Sequence, residues 1–152
     1  QIKKELISNK HIDKPVEFIY YINPKKSFNK IYKSLLNKGS LLVLGRNNFD
    51  INKFSDGNIP EFMSVHASKG LESDNVILIN MTDDMYGFPN KIVNSKLIEE
   101  LHPSDKTYIY AEERRLFYVA LTRTKNKVYI LVPLFKKSIF IKEIKNLTKA
   151  IL

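Results

Sequence analysis

The feature that most constrains this chain is a set of short strands that read as solid apolar runs. Leu41 to Leu44 is continuous, and Asn75 to Ile79 and Lys127 to Val132 are nearly so. A strand without polar alternation is covered on both faces, as happens in parallel sheets whose crossover helices lie above and below. Helical periodicity fills the gaps. Val16 to Ile22 reads as a β-branched and aromatic strand, which Asn23-Pro24 stops. The proline then opens a helix that sets Phe28, Ile31, Tyr32, Leu35 and Leu36 on one face and ends at Gly39. Glu61 to Val65 is a further strand, Tyr110 to Thr122 a strong helix, and the tail from Lys136 an amphipathic one with Phe140, Ile144, Leu147 and Ile151 on its stripe. The expected fold class is α/β: a three-layer domain with a mostly parallel central sheet flanked by helices. Residues 1 to 14 are polar and read as the remnant of a preceding connection. Asn47 to Pro60 reads as a loop, and so does Thr82 to about Asp105, with a short helix from Ile92 to Leu101.

Length and composition narrow the function classes. A chain of 152 residues suits one domain with a real core. With no cysteine, it can carry no disulfide, thiolate zinc site or cysteine nucleophile. The longest apolar stretch, Leu116 to Leu121, is far short of the ~20 residues a membrane span needs. No charged-then-apolar leader opens the chain, so the expected compartment is the cytoplasm, with no membrane partner. A start at Gln-Ile-Lys-Lys without methionine reads as a piece of a longer polypeptide. The net charge of +9 favours polyanionic partners through counterion release. Lysine accounts for 21 of the 25 basic residues, and many, such as Lys142 and Lys145, fit a solvated helix face. Arginine occurs only at Arg46, Arg114, Arg115 and Arg123, where a planar, bidentate fork has a use that lysine cannot meet.

Several chemistries are excluded by motif. No glycine pair opens a GxxxxGK[ST] phosphate loop: Gly39 and Gly45 come nearest, with five residues between them instead of four, and Arg46 and Asn47 follow. Ile77 to Ile79 is followed by Asn80 rather than by a magnesium-binding acid, and Asp83 and Asp84 come too late. His11, His66 and His102 are too far apart in sequence to suggest a zinc helix. The chain therefore cannot hold Mg-ATP by itself in the usual way.

Three blocks remain. In Leu41-Leu-Val-Leu-Gly-Arg46 an arginine follows a buried strand, the edge of an α/β sheet at which ligands bind. Taken alone, it is more often a solvent-facing charge. In Ser64-Val-His-Ala-Ser-Lys-Gly-Leu-Glu72, the residues Ser64, His66, Ser68 and Lys69 crowd the loop after a strand, where donors can meet phosphates; the plain alternative is a turn at Gly70. In Glu112-Glu-Arg-Arg-Leu-Phe-Tyr-Val-Ala-Leu-Thr-Arg123, spacing puts Leu116, Val119, Ala120 and Arg123 on one face. An arginine ending a buried stripe needs an anion. Glu112 and Glu113 lie about three turns back, which favours a ligand or another lobe, and the four charges at the front read equally well as an exposed cluster.

In this order the blocks resemble the carboxy-terminal RecA-like lobe of UvrD/Rep-type superfamily 1 DNA helicases, and within them the DNA helicase IV subgroup. Residues 41–46 look like motif IV, 64–80 like motif V, Gly87-Phe-Pro89 like the loop after it, and 112–123 like motif VI. The resemblance implies a RecA-like lobe of a 3′-to-5′ ATP-dependent helicase, with ATP and Mg²⁺ held mainly by an amino-terminal lobe. It implies that Arg46 and Arg123 reach the γ-phosphate, that Glu72 accepts from the ribose, and that Ser64 and His66 touch single-stranded DNA. Two positions depart from the family pattern, Ser73 in place of an aromatic and Thr124 in place of alanine. The loop between motifs IV and V, Asn47 to Pro60, is only 14 residues long, which leaves no room for an accessory domain. A helicase-like ATPase acting on RNA polymerase and the motor of a helicase-nuclease are the alternative readings.

Overall fold

The computed structural model describes residues 15–92 and 110–151. Five strands form one sheet: β1 (Val16–Tyr21), β2 (Leu41–Gly45), β3 (Phe62–Ser64), β4 (Ser73–Leu78) and β5 (Thr124–Pro133). Their order is β1-β5-β4-β2-β3, and every pairing is parallel. Among the described residues the complete helices are α1 (Pro24–Leu35), α2 (Ala111–Leu121) and α3 (Ile139–Ile151), with a 3₁₀ turn at Asp50–Lys53 inside the segment expected to be plain loop. The three-layer α/β arrangement read from the sequence is the one observed.

The layers follow from strand alternation. Leu42, Leu44, Val76, Leu78, Val128, Ile130 and Val132 point to one side and pack with Leu116, Phe117 and Ala120 of α2 and Phe140 and Ile141 of α3. Val43, Ile77, Ile79 and Leu131 point to the other and meet Phe28 and Leu35 of α1, with Phe54 beside them. Each fully buried aliphatic or aromatic side chain here contributes about 1.5–3 kcal/mol, and the two faces of one sheet therefore stabilise two separate cores.

Local signals set the boundaries. The Asn23 side chain accepts a hydrogen bond from the Lys26 amide at 3.0 Å, with Pro24 in the first turn of α1. Gly39, at φ +95°, turns the chain back toward β2. Leu36, placed on the apolar face by its spacing, caps the helix and is exposed. Lys145, read as part of a solvated face, lies over the Tyr20 ring at 4.4 Å. Ser73 and Thr124, the two departures from the family pattern, are direct partners at the first pair of β4 and β5. The Thr124 hydroxyl lies 3.0 Å from the Asp74 carbonyl and 2.9 Å from that of Lys127, whereas the buried Ser73 hydroxyl has no hydrogen-bond partner among the described residues. The expected preceding connection (1–14) and most of the expected helix from Ile92 lie outside the described residues, as do the side chains of Leu147 and Ile151.

Candidate functional site

The buried stripe of α2 shares Leu116 and Ala120 with the one the spacing suggested, and Val119 packs against the same core, but it runs back to Glu113 instead of forward to Arg123. Its buried residues are Glu113, Leu116, Phe117 and Ala120, so the stripe begins with a charge instead of ending with one. The Glu113 side chain is 2% exposed and that of Arg46 only 11%. Arg46 donates from Nε to both carboxylate oxygens, at 3.0 and 2.9 Å, and from Nη2 to Oε1 at 2.7 Å. The Asn90 amide adds a bond to Oε2 at 2.8 Å. A desolvated carboxylate is tolerated when its lone pairs are met this completely. The front of the block is thus only partly the exposed cluster considered above: Arg115 pairs with Glu112 on the surface, Arg114 staples α2 to α3 through Glu143 at 2.8 Å, and Glu113 is interior.

A polar chain continues from this pair along the carboxyl edge of the sheet. The Asn90 side chain donates to Asn47 Oδ1 at 3.1 Å, and Asn47 donates through its amide and side chain to Asp50. Asp50 also accepts from Asn80 at 3.0 Å. Burial pushes the Asp50 carboxyl above the usual aspartate range, while these donors pull it back. The loop holding Gly87 is equally constrained. A Cβ there would collide with the Thr82 carbonyl oxygen, so the backbone itself would have to move. Gly87→Ala is therefore expected to cost about 1–3 kcal/mol in a denaturant melt, as an overpacked site does.

Arg123 lies past the end of α2, beyond the Thr122 cap. Its Nε donates to the Val119 carbonyl at 3.1 Å, its Nη1 to that of Leu71 at 3.2 Å and its Nη2 to the Thr122 hydroxyl at 3.3 Å, all neutral partners for a full charge. The carbonyl-rich end of a helix favours a cation, which accounts for its placement. Arg46, Arg114 and Arg115 each meet a carboxylate; among the described residues Arg123 meets none. Its bond to the Leu71 carbonyl brings it beside exposed Glu72, at the amino ends of β4 and β5.

The expected site residues therefore fall into two groups. Glu72 and Arg123 share one edge of the sheet. Arg46, Ser64 and His66 share the other, after β2 and β3. Eight helical steps, about 12 Å along the axis, separate Glu113 from Leu121 at the end of α2, and Arg123 lies beyond it. Two guanidinium groups bridging one phosphate would stand within about 8 Å of each other. The structure does not bring Arg46 and Arg123 together in that way.

His66 and Lys69 are exposed, and Ser64 is half-buried, with its Oγ accepting from the Ala67 amide at 3.4 Å. Partial burial, then the charges of Arg46 and Lys69, hold the His66 imidazole below the usual histidine range. Ser68 has no exposed surface; its hydroxyl donates to the Val65 carbonyl at 2.7 Å and locks the turn. It is the one member of the expected DNA group that faces inward. The residue that sequence reasoning missed is Glu113. The signal was present, since Glu113, Leu116, Phe117 and Ala120 fall at i, i+3, i+4 and i+7.

Comparison with known proteins agrees with this architecture. The chain is 41% identical over 87 residues to DNA helicase IV of Escherichia coli K12, covering 57% of this chain and 13% of that protein. It is 33% identical over 124 residues to one of the subunits of the ATP-dependent helicase/nuclease of Clostridium novyi NT, covering 67% of the chain and 9% of that protein. It is 30% identical over 82 residues to ATP-dependent DNA helicase PcrA of Leuconostoc citreum, covering 53% and 9%. The chain thus spans only a small part of the relatives it matches. The model of the UvrD-like helicase C-terminal domain matches residues 12–133, a range that takes in all five strands of the sheet, and the chain belongs to that family.

Proposed function

We propose that this chain is the second, carboxy-terminal RecA-like lobe of an ATP-dependent 3′-to-5′ DNA helicase or translocase, with no accessory-domain insertion, working in the cytoplasm. The observation that carries the reading is Arg123, which among the described residues has carbonyl and hydroxyl partners and no carboxylate. In the proposed motor it turns to the γ-phosphate when an amino-terminal lobe closes on it, and Glu72 beside it accepts from the ribose. Catalysis of this kind rests on positive charge placed where the transition state gathers negative charge. ATP with Mg²⁺ supplies the reactive phosphate chain, gripped mainly by the amino-terminal lobe. Arg46 commits its Nε and Nη2 donors to Glu113, which supports a role in holding motifs IV and VI together rather than direct phosphate contact. No helix among the described residues is long and apolar enough to cross a membrane.

Single-stranded DNA is the proposed substrate at the opposite edge, on Ser64, His66 and Lys69. The chain alone is expected to bind it weakly and to lose affinity steeply from low to moderate salt. Lys69→Ala should reduce the log-log salt slope by about 0.7, the value of one phosphate contact on a single strand. Salt-independent binding, or a slope that ignores Lys69, would count against this face. The chain alone should also turn over no ATP, because it has no phosphate loop and no magnesium-binding acid after β4. Magnesium-dependent hydrolysis by contaminant-free chain would sink the division of labour between lobes. The likeness to part of a helicase/nuclease favours one second reading, the motor of a helicase-nuclease, which a nuclease domain in the same polypeptide would reveal.

A further inference from the structure

We propose that the crevice between the carboxyl ends of β2 and β4 receives an unstacked base of single-stranded DNA, stacked against Phe49 and Tyr86. The proposal rests on the reading of this edge as the DNA face. Its first support is topological. The segment after β2 turns toward the α1 layer, where Phe54 packs with Phe28. The segment after β4 turns to the opposite layer, where Met81 and Phe88 pack with Phe117 and Phe140. Neighbouring parallel strands whose continuations diverge leave a crevice, and such switch points are where open α/β sheets take ligands. Here it measures about 410 Å³ and is lined by Phe49, Asp50, Lys53, Asn80 and Tyr86 among others.

Its second support is the shape and chemistry of the walls. Phe49 and Tyr86 are 51% and 52% exposed. Their rings meet edge to face at 5.5 Å and 82°, forming a right-angled apolar corner. A planar heterocycle fits such a corner, with its face on one ring and its edge against the other, whereas a branched aliphatic side chain has no use for the right angle. The corner is fixed in place: Asn47 and Asn80 both donate to the Tyr86 carbonyl, at 2.9 and 3.2 Å. Asn47 directly follows Arg46, which puts the crevice on the same edge as Ser64 and His66. At its mouth Lys53 stands 4.0 Å from Asp84, a long pairing on a half-exposed amine that a strand phosphate can share. The Asp50 carboxylate already holds the Asn47 and Asn80 side-chain amides, so the crevice offers stacking rather than base-edge readout and should accept any base.

The test is a cycle between protein and DNA, read by anisotropy of a labelled oligo-dT of about 15 nucleotides and of a version carrying abasic sites. For Phe49→Ala/Tyr86→Ala the expected result is a loss of about 10- to 100-fold on the intact strand, with the salt slope unchanged because no phosphate contact is removed. The abasic strand should lose a similar factor on the wild-type chain and nothing further on the double variant. Thermal melting establishes that the variant is folded; if it is not, the abasic arm on wild-type protein decides. Wild-type affinity in the double variant, or full affinity for the abasic strand, while Lys69→Ala still weakens binding, overturns the crevice and leaves the DNA edge standing. No binding of either strand by the wild-type chain overturns both.

Discussion

Glu113→Ala is expected to destabilise the domain by about 3–5 kcal/mol, the cost of leaving one member of a buried ion pair uncompensated. Two groups lose their acceptor at once, the Arg46 guanidinium and the Asn90 amide. A loss of that size is a large share of the roughly 5–15 kcal/mol that holds a domain of this kind together. Urea unfolding of the chain measures it directly. Arg46→Ala should cost nearly as much, because Glu113 is 2% exposed and its charge would then stand alone. An Arg46→Met/Glu113→Leu pair should recover most of the loss, since apolar replacement of a whole buried pair is close to neutral. If Glu113→Ala melts like wild type, the pair is not the anchor that joins the start of α2 to the end of β2.

Arg123→Ala should do the reverse. Its side chain gives up bonds to two carbonyls and to the Thr122 hydroxyl, worth about 0.5–1.5 kcal/mol each and partly exposed, so the fold should survive with a modest loss. In the full-length motor that we propose, DNA-stimulated ATP hydrolysis should fall by at least ~100-fold, within the range expected when a trans-acting arginine is removed. Arg123→Lys should not restore it, because an ammonium keeps the charge and loses the fork.

Much of this molecule was legible in the residues. Solid apolar runs announced a sheet buried on both faces, and Asn23-Pro24 and Gly39 marked both ends of α1. The motif blocks, read in order, gave the family. The electrostatic partnerships were harder, because they join residues far apart in sequence. Arg46 and Glu113 are 67 positions apart, and only the fold brings the start of α2 beside the end of β2. The period of α2 is plain in the sequence and Val119 does pack against the core, but carrying the stripe forward to Arg123 instead of back to Glu113 misplaces its charged end. Glu113 passes for a surface residue because it stands in a run of four charges. The rule that a charge on a buried stripe must find its opposite was sound, and it applied at the other end of the helix. Ser68 misleads for a related reason: a serine in a polar loop looks available, yet here its hydroxyl closes the turn on Val65. The Phe49–Tyr86 corner was invisible for want of any local pattern, as its two rings are 37 positions apart and meet only where strand continuations diverge.

The most direct test of the division between the two arginines is to make Arg46→Lys and Arg123→Lys in the full-length protein and measure, for each, the melting temperature and the DNA-stimulated ATPase per folded molecule. The account predicts a crossed result. Arg46→Lys, stripped of its bidentate grip on Glu113, should melt several degrees lower yet hydrolyse ATP within a few-fold of wild type. Arg123→Lys should melt like wild type and lose at least ~100-fold in hydrolysis. Near wild-type hydrolysis in Arg123→Lys, or a collapse of hydrolysis in a stably folded Arg46→Lys, would contradict it.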